Sequence, residues 1–257
     1  MSNAQLGLEK CLPFISSQFQ PAGAPPEAPA DGVPRLAVTI SRQTGSGALA
    51  VGEKLAAYLE ARAPRDLLPW RVCDRNLVRK VLADHKLPQR LAQFMPEDRV
   101  SEVADTIDEM LGNHPPTSEL VRQTAETILR LAEQGHVILI GRGANIITSK
   151  LDHVFHVRLL GSLERRVSHI QEIRGVGKTA ALAFIRNEDR GRRRYLKKHF
   201  GQDLDDPLLY HMIINTDRVP YERAAQIIGE AVLAGVQRGW HDRVRRTRPA
   251  RRAEAFA

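Results

Sequence analysis

Residues 36–52 read LAVTISRQTGSGALAVG, and this stretch constrains the fold more than any other part of the chain. The run Ala37-Val38-Thr39-Ile40 is apolar and rich in β-branched residues, which predicts a buried strand. It breaks at Gly45-Ser46-Gly47, and from about Ala48 the apolar spacing becomes helical through Val51, Leu55 and Leu59. A glycine turn between strand and helix gathers unpaired N–H groups and the positive end of the helix dipole around one point. That point is an anion site, and in an α/β protein the anion is usually phosphate. Thr44, Gly45, Ser46, Gly47, Ala48 and Leu49 are the expected contacts. A glycine turn that only joins the two elements would read the same.

The standard phosphate-binding loop is GxxxxGK[ST]. Aligned on Gly47, this chain has Arg42 at the first glycine, Ala48 at the lysine and Leu49 at the magnesium-binding hydroxyl. The main-chain cradle is retained while the lysine and the hydroxyl are missing.

The 257 residues allow one large domain or two small ones, with ample length for a core. Net charge is +8, and the excess is uneven. In the segment 241–257, Arg243, Arg245, Arg246, Arg248, Arg251 and Arg252 face only Asp242 and Glu254, a net +4. A basic tail of this kind implies solvation or weak attraction to polyanions more than specific nucleic-acid recognition. Cys11 and Cys73 lie far apart without metal-ligand spacing, as expected of free thiols in a reducing compartment. No apolar run approaches the roughly 20 residues of a membrane span. The opening residues also lack the layout of a secretion signal, so a cytoplasmic location is expected.

Residues 5–18 have the spacing of a short helix interrupted by Pro13, and 20–34 carry five prolines and read as a linker. The expected organisation is a leader over 1–34, one domain over 35–240 and a basic tail over 241–257. Within the domain the pattern predicts strands at 70–73, 136–140, 153–160 and 210–215. Helices are expected at 48–62, 76–84, 97–111, 117–134, 162–174, 178–200 and 220–239. Strands alternating with helices argue for a parallel sheet covered on both faces, with ligands at the carboxyl ends of its strands.

Polar residues follow the predicted strands where that rule wants them: Ser41 and Arg42 after the first, Asp74 after the second, Gly141-Arg142-Gly143 after the third. An arginine between glycines just past a buried strand has room to reach a ligand, or to make a surface ion pair. The segment Ile185 to Phe200 (IRNEDRGRRRYLKKHF) is dense in cations. On a helix Asp189 and Arg192 are i, i+3 neighbours and share a face. Such a pair could hold an acceptor, since the planar arginine fork matches phosphate oxygens; by composition alone the run also fits a solvated helix face.

Taken in order, TISRQTGSG, DRNLV, GRGAN and EDRGRRRYLKKHFG resemble the cytidylate kinase-like family, a branch of the nucleoside monophosphate kinases. The resemblance covers about 35–238. It implies a three-layer P-loop kinase-like fold: a five-stranded parallel sheet with helices on both faces, a helical acceptor-binding insertion at about 74–115 and an arginine-bearing lid at about 165–200. It also implies ATP as phosphoryl donor, with Mg2+, and a CMP-like acceptor. On this resemblance Arg42 would replace the lost lysine, Arg186 and Arg190 (with Arg174) would close over the phosphates, and Asp74, Arg142, Asp189 and Arg192 would hold the acceptor. The aspartate that follows the Arg142 position in true cytidylate kinases is Gly143 here. Ser46 or Thr44 could reach Mg2+ through water. The alternative expectation is a nucleotide-binding regulatory module that has lost catalysis, favoured by Ala48 and Leu49.

Overall fold

The computed structural model describes residues 36–62, 69–74 and 117–238. The expected leader and linker (1–34), the helices at 76–84 and 97–111 with nearly all of the 74–115 insertion, and the 241–257 tail lie outside the described residues.

Five strands form one sheet in the order β2-β3-β1-β4-β5. These are β1 (Ala37–Arg42), β2 (Arg71–Cys73), β3 (Val137–Ile140), β4 (Val154–Leu160) and β5 (Met212–Asn215). Every pairing is parallel. Ile40 of the central strand lies level with Ile140 on one side and Val157 on the other. Such a strand has no solvent face, which is why β1 and β3 read as continuous apolar runs.

The helices are α1 (Ala48–Glu60), α2 (Thr117–Gln134), α3 (Ala144–Ile147), α4 (Leu163–Arg174), α5 (Lys178–Phe200) and α6 (Tyr221–Arg238). Alternate strand residues feed opposite faces. Val38, Ile40, Ile138 and Val157 pack beneath α1 (Val51, Leu55, Leu59) and α6 (Ala224, Ile228, Val232). Ala37, Val137, Leu139 and Val154 pack against α2 (Ile128, Leu131, Ala132) and Ala144 of α3. Burial on this scale, at about 25 cal/mol per Å² of apolar surface, is the main force holding the three layers together. The expected three-layer architecture is the observed one. Strand bounds agree within one residue except at β1, which runs two residues past Ile40 to take in Ser41 and Arg42, and at β5, which starts two residues late. A 3-10 turn at Pro207–Leu209 precedes it, capped by Asp206 accepting from the Leu208 N–H at 2.9 Å.

Helices α4 and α5 form a hairpin with a small core of Val167, Ile170, Ala181 and Ile185. Ser162 caps α4 by accepting from the Arg165 N–H, and Gly175 closes it in a left-handed conformation. This is the segment expected to be the lid. Its inner face lies against the carboxyl end of the sheet through contacts described below.

The chain leaves β1 toward the face carrying α1 and leaves β3 toward the face carrying α3. Neighbouring strands whose exits diverge leave a crevice between their carboxyl ends, the place where open α/β sheets bind ligands.

Candidate phosphate-binding site

The loop after β1 has the form of an anion cradle. Gly45 (φ +86°) and Gly47 (φ +79°) are left-handed on either side of Ser46. The turn is closed from within: the Ser46 N–H and Oγ both donate to the Gln43 carbonyl, at 3.2 and 2.8 Å. The α1 ladder begins with the Val51 N–H on the Gly47 carbonyl at 2.9 Å, so the N–H groups of Ala48, Leu49 and Ala50 have no partner inside the helix. Both glycines are required by contact as well as by angle. A Cβ at Gly45 would lie 2.7 Å from the Arg166 carbonyl oxygen, and one at Gly47 would lie 2.2 Å from the Tyr221 ring. The fit to a polyphosphate is therefore good: bare amides, no side chain in the cradle, and a helix N-terminus behind it.

The fit to a protein-held Mg2+ is poor. Leu49 is an exposed hydrocarbon at the hydroxyl position, and Thr44 Oγ1 accepts from the Arg192 guanidinium. Among the described residues no cluster of three or more His, Cys, Asp or Glu could hold a metal. An ion arriving with a nucleotide would rely on phosphate oxygens and water, the usual manner of Mg2+.

The lid hairpin holds this loop through one carboxylate and two guanidiniums. Asp189 Oδ1 accepts from the Thr44 N–H at 2.9 Å, and Arg192 bonds both Asp189 and Thr44 Oγ1. Arg166 of α4 donates to Asp189 Oδ2 at 2.8 Å, to the Thr44 carbonyl at 3.1 Å and to the Gly161 carbonyl at 3.0 Å. Burial of Asp189 works to raise its pKa. The Thr44 N–H and the charges of Arg192 and Arg166 outweigh it and hold the carboxyl below the usual range.

The structure thus brings Asp189 and Arg192 to the loop beside Thr44. Arg42 ends β1 half-buried and lines the crevice between β1 and β3 with Gly141, Gly143, Asn145 and Arg192. Arg142 is buried in a left-handed conformation (φ +60°) between left-handed Gly141 and Gly143. Non-glycine residues adopt this conformation rarely, and His136 (φ +52°) is the other one among the described residues. Gly143 is itself filled against: a Cβ there would meet the Phe200 ring at 3.0 Å. Asp74 follows β2, separated from β1 by β3. Arg186 and Arg190 lie on the exposed side of α5, away from the face that carries Ile185, Glu188 and Arg192. Arg174 covers the Phe184 ring at 4.0 Å.

Several residues of the site were not foreseen. Arg158 is buried in β4 and donates to Ser41 Oγ at 3.0 Å and to Asp205 at 2.6 Å; Asp205 also takes Arg193 of α5 at 2.9 Å. An arginine inside the otherwise apolar run VFHVRLL was the available signal. Asn145 closes the GRGAN motif but was given no role there, and Arg166 and Tyr221 carried no signal.

Beside Gly45 a cleft of about 490 Å³ opens between α4 and the loop from β5 to α6, with His169, Asp217 and Tyr221 on its walls. The His169 and Tyr221 rings meet edge to face, 5.9 Å between centroids.

The model of the cytidylate kinase-like family matches residues 37–218, which spans the sheet, the loop and the lid. The chain belongs to the cytidylate kinase-like family. No curated protein sequence matches it. Among solved structures it is similar to an uncharacterised protein from Eubacterium ventriosum, at 19% identity and a TM-score of 0.57, covering 78% of this chain and 99% of that one. It is also similar to a gluconokinase from Sinorhizobium meliloti (12% identity, TM-score 0.46, 84% and 99% covered). A shikimate kinase from Bacteroides thetaiotaomicron matches at 13% identity and a TM-score of 0.44, covering 77% and 98%. The matched stretch contains the Gly45-Ser46-Gly47 turn together with Asp189 and Arg192, and it has Ala48 and Leu49 where the standard phosphate-binding loop has lysine and a hydroxyl.

Proposed function

We propose that this protein is a phosphotransferase that moves the γ-phosphoryl group of ATP to a nucleoside monophosphate, CMP-like, or to a similar small anionic acceptor. The observation that carries the reading is the doubly left-handed Gly45-Ser46-Gly47 turn, with side-chain-free amides at the start of α1. A triphosphate lying over it has two ways to extend. The 490 Å³ cleft beside Gly45 would take the nucleoside of the donor, and the acceptor would approach the mouth of the crevice between β1 and β3, whose own free space is only about 10 Å³.

Phosphoryl transfer depends mainly on positioning and on charge stabilisation around the moving group. The amides of Gly45, Gly47, Ala48 and Leu49 would grip the donor phosphates, the Ser46 N–H being taken by the Gln43 carbonyl. Arg42, at the crevice mouth, is the cation proposed to act where Ala48 has replaced lysine. Arg142, Asp189 and Arg192 would shape the acceptor side, and Asp74 its outer edge. Arg186 and Arg190 would join only if α5 turned its outer face toward the phosphates. No described helix is long and apolar enough to cross a membrane, and the proposed setting is the cytoplasm.

A second reading, a nucleotide-binding regulator without catalysis, is favoured by Leu49 and by Asp189 filling the Thr44 amide. Purified protein screened in a coupled ATP-consumption assay against the nucleoside monophosphates separates the two. Turnover with at least one acceptor supports the transferase; tight ATP binding with no turnover on any acceptor supports the regulator.

A further inference from the structure

Tyr221 opens α6 where the 490 Å³ cleft meets the glycine cradle. Its ring forms part of the cleft wall, and its Oη lies 2.6 Å from the point that a Cβ on Gly47 would occupy. One carbon–carbon bond further on is the Gly47 Cα, so the hydroxyl stands within about 4 Å of the residue whose N–H, with that of Ala48, opens the cradle. The side chain is half-buried, with the His169 ring edge to face on its other side. Tyrosine hydroxyls held in this way usually find a hydrogen-bond partner, yet Oη has none among the described residues. Burial, with the charges of Asp217 and Glu172 nearby, raises the phenol pKa, so at neutral pH the group keeps its proton and can donate. Three guanidiniums (Arg165, Arg166 and Arg218) line the cleft against the two carboxylates, a balance that favours an anion there.

We infer that Tyr221 is a specificity-determining residue whose Oη–H donates to the phosphate chain of a nucleoside triphosphate where it passes from the cleft to the cradle, at the phosphate next to the nucleoside. This rests on the transferase reading for the presence of the donor nucleotide. It adds a contact that the main-chain amides cannot supply: they grip the far end of the chain and do not distinguish a nucleotide from a bare polyphosphate. Because the ring packs on Gly47, the hydroxyl is fixed relative to those amides before a ligand arrives, which lowers the ordering cost of the contact. The phosphate it would touch is not the one transferred, so the contact acts on nucleotide binding more than on the chemical step.

The test compares the full chain with Tyr221→Phe, which keeps the ring on Gly47 and removes only the hydroxyl. Calorimetric titration is expected to show a loss of ATP affinity of about 10- to 100-fold, with adenosine affinity unchanged. The α-phosphorus resonance of bound ATP should differ between the two proteins while the γ-phosphorus resonance coincides. Unchanged ATP affinity overturns the inference, and so does tighter binding, which would make the hydroxyl an obstacle. Equal weakening of ATP and adenosine also overturns it, since the ring would then serve only as cleft wall. Wild-type protein that binds ATP no better than Tyr221→Phe does overturns this inference alone; wild-type protein that binds no ATP removes the transferase reading beneath it as well. Should Tyr221→Phe not fold, the Cζ resonance of Tyr221 is followed in the wild-type chain during ATP titration, assigned by replacing Tyr58, Tyr195 and Tyr210 with phenylalanine. A shift with ATP and none with adenosine is expected, and an unmoved resonance rejects the proposal.

Discussion

The Thr44 N–H donates to Asp189 Oδ1 at 2.9 Å, across 145 residues of chain. A lid carboxylate therefore occupies the first amide of the phosphate loop and is held there by Arg166 and Arg192. Asp189→Asn keeps an acceptor for Thr44 but removes the carboxylate charge that Arg166 and Arg192 share, while Arg192 keeps its pairing with Glu188 at 3.5 Å. Loss of one partner from such a cluster costs about 3–5 kcal/mol, read by urea denaturation at neutral pH. The sign with pH follows from the lowered carboxyl pKa. The carboxylate's contribution is complete above the unfolded value near 4 and is lost as pH falls through the lower folded value. The deficit of the Asn variant is thus expected to shrink in acid; a deficit constant from pH 7 to pH 2 would refute the assignment.

Arg166 serves three oxygens at once, on Gly161, Thr44 and Asp189. Lysine offers one compact ammonium and no planar fork, so Arg166→Lys retains the charge and loses the geometry. The expected cost is about 1.5–3 kcal/mol of stability, with weaker ATP binding as the loop loosens. Thermal unfolding and ATP titration of the same variant check both. Unchanged ATP affinity would show that the loop holds its shape without the lid.

How much of this was legible beforehand depends on whether a residue acts through its neighbours in sequence or across space. The strand–GSG–helix unit is local, so β1, α1 and the cradle follow from residues 36–52 alone. Asp189 and Arg192 were visible as a helix-face pair, but their contact with Thr44 depends on where α5 lies over the sheet, which no local pattern encodes. Arg186 and Arg190 were indistinguishable from Arg192 by composition; only the packing of Ile185 and Leu196 decides which arginines turn inward. Tyr221 looks like an ordinary first-turn residue until its ring is seen against Gly47.

A buried histidine makes the fold acid-sensitive. His156 lies within the sheet, its ring Nδ1 2.8 Å from Thr39 Oγ1 and its backbone N–H donating to His211 Nδ1 at 2.9 Å. Burial, reinforced by the neighbouring His211, lowers its pKa to about 3. The unfolded chain takes up a proton below about 6.5 that the folded one refuses, so stability falls with pH by about 1.4 kcal/mol per unit until the folded group itself titrates. His156→Gln is expected to flatten the stability profile between pH 6 and pH 4. A profile with the wild-type slope would assign the acid sensitivity elsewhere.

Gly47 is required twice over. Alanine there must adopt φ near +79° and place its Cβ 2.2 Å from Tyr221. The left-handed backbone alone costs about 1–2 kcal/mol, and the clash adds to it. Gly47→Ala is expected to lose stability and ATP binding together. Adding Tyr221→Ala removes the clash but not the strain, so the double variant recovers part of the loss relative to Gly47→Ala. Full additivity of the two substitutions would mean that the ring and the loop are not coupled.

On the transferase reading, Arg42 is the residue to replace in asking whether a loop without its lysine catalyses. It ends the central strand, and the crevice it lines is where an acceptor and the donor's terminal phosphate would meet. Removing one preorganised group from a transition state that develops charge costs about 100- to 1,000-fold in kcat. Arg42→Ala is expected to show that loss with ATP affinity changed less than tenfold, because the main-chain amides of Gly45 and of residues 47–49 would bind the ground state. Arg42→Lys tests charge against geometry: substantial recovery assigns Arg42 the role of a point charge, and no recovery assigns it the fork. If kcat in Arg42→Ala equals that of wild type, the missing ammonium is supplied by another cation, and Arg192, already in the same crevice, becomes the one to replace next.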